Sequence, residues 1–426
     1  MNPNVVRQAY DAACETYAAY GVEVTAVLEK MRQIEVSVHC WQGDDVTGLE
    51  SVGGGASGGI LSTGSFGGKP RNGEELRADI DRTLSLLPGR KRLNLHASYA
   101  ELEGEKVDRD RYETRHFQKW IDWAKQRDVA LDFNATCFGH PLAQDNLTLA
   151  HPDEKIRRFW IDHVKAVRRI AADMGRELGK TVVNNIWIPD GMKDLPADRL
   201  RYRAILKESL DEILAVSYPA EYVVDAVECK LFGIGVESYT VGSHEFYMGY
   251  TAHQHRLGHD NLMLTLDMGH FHPTETIADK VSALLLFYPK LLIHVSRPVK
   301  WDSDHVVISD ENLLELMREI KRADAFNRVY LATDFFDGSI NRIAAWTVGL
   351  RATQKAILAA LLEPTELLRA AEARGDYATR LALMEEFRNL PVSAVYDQFC
   401  LDQGVPAGSD YLAEIDTYTR TVLNQR

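Results

Sequence analysis

The sequence predicts an α/β protein built as a (β/α)8 TIM barrel, with a helical segment before the barrel and a helical extension after it. Two patterns and one absence support this. Short β-branched or leucine-rich runs recur eight times between residues 34 and 336, each of strand length. Between them lie longer segments whose apolar residues return every three or four positions, with charges on the other face, as in amphipathic helices. Eight such pairs match the count of a closed barrel. The first run is not followed by the GxGxxG of a doubly wound dinucleotide-binding sheet.

In chain order, residues 1–33 form an N-terminal helical segment in which MNPNVVRQAYDAACETYAAYGVEVTAVLEKM (1–31) reads as one amphipathic helix. It lacks the basic and apolar regions of a secretory signal. The barrel is expected over 34–350, with strands in IEVSVHCW (34–41), RLNLHASY (92–99), VALDFNATCF (129–138), TVVNNIWIP (181–189), VVDAVECKLF (223–232), LMLTLDMGHF (262–271), LLIHVSRP (291–298) and RVYLATDFF (328–336). GEELRADIDRTLSLL, DEKIRRFWIDHVKAVRRIAADMG, ADRLRYRAILKESLDEILA, ETIADKVSALLLF and DENLLELMREIKRA are the clearest intervening helices. From 351 to 426 the pattern is helical only, more than one last barrel helix needs, so this part is expected to wrap the barrel or a neighbouring subunit. The glycine-rich stretch 48–73 interrupts the rhythm after the first strand. It has no GK[ST] for a phosphate, and reads as a surface loop, or as a lid or intersubunit arm that inserts Phe66.

Composition bounds the function. The chain has 426 residues, 45% hydrophobic and 26% charged, with a formal net charge of −13. A diffuse acidic surface repels nucleic acid and anionic membrane, and no apolar run reaches the ~20 residues that span a bilayer. Five scattered cysteines without a CxxC argue against a disulfide framework or a thiolate zinc site and point to a reducing, cytoplasmic location.

The chemistry gathers at the strand ends, where a barrel carries its active site. The ends offer His39 and Trp41, His96, Asn134 and Phe138, Trp187 and Asp190, Glu228 and Lys230, Asp267 and His270, His294, and Asp334. Buried charges cost several kcal/mol each unless paired or metal-bound, so packing alone does not account for this set. Beyond the seventh strand, HVSRPVKWDSDH places Asp302 and Asp304 two apart, which on an extended segment aims both to one side. Joined by His270 from LDMGHFH, they form one candidate metal set. Glu228, Asp267, His294 and Asp334 form a second, and Asp267 can bridge the two. Carboxylates with imidazole and no thiolate favour Mn²⁺, with Mg²⁺ or Co²⁺ as substitutes. Two such metals suit adjacent oxygens of a small polyol. Lys230 shares a face with Glu228 and can neutralise an oxygen at the reacting carbons. Trp41, Trp187 and Phe138 can wall the C–H face of a sugar. The cluster AHQHRLGHD (His253, His255, His259) precedes a strand, so it is expected as a solvated loop at the wrong end of the barrel.

HCWQGDDV, LNLHASY, LDFNATCFGHPL, NIWIPDGMKD, AVECKLFGIGVESYTVGSHEFYMGY, LDMGHFHPTE, LLIHVSRPVKWDSDHVV, DFFDGSINRIAAW and LLEPTELLRA together resemble the bacterial L-rhamnose isomerase family, over essentially the whole chain. The resemblance implies a homotetramer with two Mn²⁺ sites per subunit that interconverts L-rhamnose and L-rhamnulose by moving hydrogen between C1 and C2. Carried onto this chain, it implies Glu228, Asp267, His294 and Asp334 as ligands of a structural metal, and His270, Asp302 and Asp304 as ligands of a catalytic one. Lys230, Asp334 and His270 are the expected catalytic residues. Trp41, His96, Phe138, Trp187, Asp190 and a neighbour's Phe66 are the expected sugar contacts. An isomerase with another preferred aldose, a metal-dependent hydrolase on the same barrel, and a non-catalytic sugar-binding protein are the alternatives.

Overall fold

The computed structural model describes residues 1–50, 60 and 62–426. Among these, eight parallel strands close into a barrel: β1 (Val36–His39), β2 (Lys91–His96), β3 (Ala130–Asn134), β4 (Val182–Ile186), β5 (Val223–Glu228), β6 (Leu262–Asp267), β7 (Leu291–Val295) and β8 (Val329–Thr333). Each falls on one of the eight runs read from the sequence, β2 starting one residue before its run. Neighbours pair in chain order, and β8 closes on β1 with Val36 opposite Leu331. A short antiparallel pair, Gly191–Met192 with Tyr239–Thr240, sits outside the barrel.

The N-terminal segment is two helices rather than one. Asn2 caps α1 (Pro3–Ala18), and Glu23 accepts from the backbone at the start of α2 (Val24–Met31). The break falls at Gly21, whose φ of +76° is left-handed backbone that a glycine adopts without a Cβ clash. Around the barrel follow α3 (Gly73–Leu84), α4 (Gln118–Arg127), α5 (Glu154–Leu178), α6 (Arg199–Leu214), α7 (His244–Arg256), α8 (Ala278–Leu285), α9 (Glu311–Arg322) and α10 (Arg342–Leu361). α10 runs unbroken through position 350 and is tied to β1 by the Trp346 indole, which donates to the His39 carbonyl at 2.8 Å. Four more helices complete the chain: α11 (Thr365–Ala373), α12 (Tyr377–Phe387), α13 (Val392–Asp402) and α14 (Tyr411–Thr421). α13 packs on α1 and α10. No helix of the described residues is long and apolar enough to cross a membrane. All five cysteines are free.

His253 and His255 are not in a loop. They form the last turn of α7, and only His259 lies in the turn beyond it. His255 Nε2 is 2.7 Å from the Leu262 carbonyl and fastens the helix end to β6. Imidazoles in a last turn also suit the negative end of the helix dipole.

The period of two along each strand divides the barrel interior. Val183, Val224, Ala226, Met263, Leu292 and Ala332 pack as one apolar cluster. One alternation further along, the same face carries Asn185, Glu228, Thr265, His294 and Asp334, with Asp267 one step beyond Thr265. On β1 to β3 the corresponding layer is polar. Arg92 binds Asp132 through Nε and Nη2 at 2.9 and 2.7 Å, and the Ser37 hydroxyl donates to the same carboxylate at 2.6 Å. Arg92 also reaches Glu35 at 3.0 Å. Both Arg92 and Asp132 are buried, so removing one partner strands the other charge. Asp132→Ala is expected to lower stability by about 3–5 kcal/mol, read from denaturant unfolding. A double variant Arg92→Met, Asp132→Leu should recover much of that loss. If the double variant is as unstable as the single one, the pair is not the source of the cost.

Candidate active site and metal centre

The strand register builds the cluster. Asp267 and His294 are direct partners across β6 and β7, and Glu228 faces Thr265 across β5 and β6. Neighbouring parallel strands are only about 4.8 Å apart, so these last inward residues must meet. His294 Nδ1 lies 3.2 Å from Glu228 Oε1, 3.5 Å from Asp334 Oδ2 and 3.8 Å from Asp267 Oδ2. His270 Nε2 lies 3.2 Å from Asp302 Oδ2, and Lys230 Nζ donates to that same oxygen at 2.8 Å. Glu228, Asp267, His294 and Asp334 offer ligand atoms within 4.8 Å of one another, as do Asp267, His270 and Asp302. Asp267 belongs to both groups.

Asp304 lines the same cavity but falls outside both groups. The extended segment expected for Asp302 and Asp304 is a turn instead. Lys300 and Asp304 have φ of +69° and +45°, and Arg297 bridges back to His305. The turn, rather than strand alternation, brings both carboxylates to the cavity. The cations of this stretch stay outside it: Arg297 Nε donates to the Val306 carbonyl at 2.8 Å, and Lys300 is exposed.

The electrostatics are lopsided. Among the described residues, five carboxylates (Glu228, Asp267, Asp302, Asp304 and Asp334) share the site with one ammonium, Lys230, and three imidazoles, His96, His270 and His294. Burial pushes the Asp267 carboxyl up, and Asp334, Asp302 and Glu228 push it further against His270, to about 7. Burial acts to lower His270, yet Asp302 and Asp267 outweigh it and raise the imidazole to about 9. Burial is likewise overcome at His294, which Glu228 and Asp334 lift well above the ordinary imidazole value. Asp304 is driven well above the carboxylate range by burial and by Asp302 and Asp334. At Asp302, Lys230 and His270 overcome the burial and hold the carboxyl below that range.

Orphaned atoms point the same way. Among the described residues, neither ring nitrogen of His294 makes a hydrogen bond, and Asp302 Oδ1 has no partner. Such groups are rare in folded interiors. A buried carboxylate–imidazole group with free lone pairs fits a divalent cation.

Polar neighbours hold the carboxylates in place. Asn185 donates to Glu228 Oε2 at 2.6 Å and accepts from the Thr265 hydroxyl at 2.7 Å. Ser296 and the Gly269 amide donate to Asp267 Oδ1 at 3.0 and 2.6 Å. The Trp41 indole donates to Asp334 Oδ1 at 3.0 Å. Sequence reasoning missed Asn185, Thr265 and Ser296. The period of two from the strand-end carboxylates was the signal that would have found Asn185 and Thr265.

One wall of the cavity is a chain of ring contacts from Trp41 to His96, Phe138 and Trp187, with centroids 4.7, 5.5 and 5.8 Å apart. Lys230 Nζ sits 5.0 Å over the Trp187 ring. Burial lowers His96 to about 4, which keeps it neutral. Val46, Ile60 and Phe336 add apolar surface that sequence reasoning had not singled out.

Asp190 and Phe66 do not line this chain's own cavity. Asp190 accepts from the Thr148 and Ala150 amides at 2.8 and 2.7 Å and from the Thr148 hydroxyl, so it ties down a loop. The Phe66 amide donates to the Gly338 carbonyl at 2.8 Å, and its carbonyl accepts from Arg342 at 2.9 Å. Most of the glycine-rich arm's core, 51–59 and 61, lies outside the described residues.

The family model for L-rhamnose isomerase (RhaA) matches residues 4–426. This chain belongs to the L-rhamnose isomerase family. The L-rhamnose isomerase of Rhodopirellula baltica is 53% identical over 99% of this chain and 97% of that protein. The Salmonella typhi L-rhamnose isomerase is 52% identical over 99% of each. A solved structure of an L-ribulose 3-epimerase is a much looser match: 13% identity, TM-score 0.46, 79% of this chain and 97% of that one. Membership in an isomerase family removes the hydrolase and the non-catalytic binding protein from the alternatives.

A cation entering this L-rhamnose isomerase cluster needs neutral imidazoles and an ionised Asp267, so it displaces protons. Its affinity therefore rises with pH through about 7 and again toward about 9, and falls on acidification. Titrating Mn²⁺ by calorimetry in buffers of different ionisation enthalpy counts the protons released. A pH-independent affinity with no proton release would contradict the assignment. Asn185→Ala should weaken Mn²⁺ by roughly 10–100-fold with little loss of stability.

Proposed function

We propose that this protein interconverts L-rhamnose and L-rhamnulose at the strand-end cluster, as an aldose–ketose isomerase of L-rhamnose catabolism. The single observation that carries the reading is the coincidence of family membership over residues 4–426 with a buried carboxylate–imidazole group able to hold a metal.

The residues divide the work. Glu228, Asp267, His294 and Asp334 would hold one Mn²⁺, and His270, Asp302 and Asp304 a second, with Co²⁺ or Mg²⁺ as substitutes. A divalent cation so held supplies Lewis-acid polarisation of neighbouring sugar oxygens. Trp41, His96, Phe138 and Trp187 shape the wall against which the open-chain sugar lies, and their rings exclude water from its carbon face. Lys230 keeps its charge, because Asp302 beside it outweighs the burial that favours the neutral amine. Among the described residues it is the one ammonium that lines the cavity, and it can stabilise negative charge on the oxygen at C1 or C2. Asp334, steadied by Trp41, holds or moves the proton between those hydroxyls. Hydrogen then passes from C2 to C1 as a hydride, within the sugar itself.

The remaining assignments rest on the family and on exposed surface. Residues 1–33, 34–350 and 351–426 act as N-terminal segment, catalytic barrel and oligomer-forming extension of a cytoplasmic homotetramer. Tyr377 and Leu381, four apart on α12 and 60% and 67% exposed, supply an apolar face for subunit contact. In that assembly Phe66 would close a neighbour's pocket.

EDTA-stripped protein should not form ketose from L-rhamnose, and Mn²⁺ should restore turnover, faster on L-rhamnose than on other aldoses. Metal binding without turnover of any aldose would sink the reading. Lys230→Met should lower kcat by about 10²–10³-fold, the scale of losing one charge-stabilising donor. In deuterated water, substantial solvent label at C1 of the ketose would replace the hydride route with enediol proton transfer.

A further inference from the structure

A second cavity, of about 480 Å³, lies where the C-terminal helices meet α1 and the barrel helices. It shares no lining residue with the strand-end site. Its walls are cationic. Arg318 comes from α9, Lys355 from α10, and Arg388 from the end of α12.

The Arg318 side chain is only 13% exposed, yet its buried Nε has no hydrogen-bond partner among the described residues. Its nearest carboxylate oxygens are Glu363 Oε2 at 3.5 Å and Glu311 Oε1 at 4.0 Å. Both carboxylates are engaged elsewhere. Glu363, which also lines the cavity, accepts from Arg322 at 2.9 and 2.7 Å and from the Thr365 hydroxyl at 2.9 Å. Glu311 is bidentate with Arg388 at 2.8 and 2.7 Å. Lys355 has no carboxylate partner among the described residues and rests 5.3 Å over the Tyr396 ring. The Tyr17 hydroxyl, on a fully buried side chain, is also without a hydrogen-bond partner among the described residues.

Leaving a buried guanidinium donor unmade next to a cavity is costly, and Arg318, Arg322, Arg388 and Lys355 outnumber the two carboxylates, Glu311 and Glu363, that the arginines share. A phosphate answers both. Arginine's planar fork matches an oxyanion in bidentate fashion, and lysine adds a point charge. The hydroxyls of Ser309 and Ser393 on the same wall are further donors. The volume exceeds that of a bare phosphate and falls within the range of small-metabolite pockets.

We infer that the cavity between Arg318 and Lys355 is a binding site for a phosphate-bearing small molecule, separate from the isomerase site. Its occupant would join α1, α9, α10 and the start of α13, and so stiffen the docking of the C-terminal helices onto the barrel.

Inorganic sulfate serves as the probe, since it mimics phosphate without precipitating Mn²⁺. It is titrated into the Mn²⁺-loaded protein against chloride at matched ionic strength. Sulfate should raise the thermal midpoint saturably and beyond chloride. Arg318→Gln should weaken the apparent affinity at least about tenfold and Lys355→Gln by less, with kcat on L-rhamnose unchanged in both. A wild-type response no different from chloride overturns the proposal, and so does an undiminished response in Arg318→Gln. If Arg318→Gln does not fold, an undiminished response in Lys355→Gln overturns it equally.

Discussion

The arrangement of this protein depends on one constraint: among the described residues, five carboxylates meet at the C-terminal mouth of the barrel with a single lysine among them. Charges taken out of water must be neutralised or they cost several kcal/mol each. The site meets part of that demand with its own groups. Lys230 and His270 converge on Asp302, while His294 sits among Glu228, Asp267 and Asp334. The excess remains, and it explains why His270 and His294 are raised above the ordinary imidazole value and why the Asp267 carboxyl is raised. A resident divalent cation would reverse all three at once, and this links the family's chemistry to the charge count.

The barrel below exists in a form that can hold such a cluster still. The apolar plug of Val183, Val224, Ala226, Met263, Leu292 and Ala332 lies one strand alternation beneath the charged layer. Carboxylates standing on a packed floor have few rotamers left, and Asn185, Thr265 and Ser296 remove more by hydrogen bonding. On β1 to β3 the Arg92–Asp132–Ser37 network takes the place of the plug. The barrel is therefore polar through its depth on one side. That side carries the aromatic wall of Trp41, His96 and Phe138.

Loops finish the site, and there local reasoning was weakest. Asp302 and Asp304 reach the cavity through left-handed backbone at Lys300 and Asp304, which no alternation rule describes. Asp190 follows a strand end as the other site residues do, yet it turns away to bind the Thr148 and Ala150 amides. Phe66 is fastened to Gly338 and Arg342, while Ile60 of the same glycine-rich arm faces the cavity. A residue's place at a strand end says which rim it belongs to. Its neighbours decide which way it points.

The sequence by itself determined the barrel, because hydrophobic period and strand count are local properties repeated eight times over. It also determined which residues crowd the strand ends, since the period of two and the end of each run can be read without coordinates. The motif resemblance determined the family. Tertiary structure decided the rest. Register made Asp267 and His294 direct partners. Gly21 divided the first helix in two, and the last turn of α7 took up His253 and His255. Packing of α9, α10 and α13 left Arg318 and Lys355 facing a cavity of their own. These outcomes depend on contacts between residues far apart in the chain, and no local pattern records such contacts.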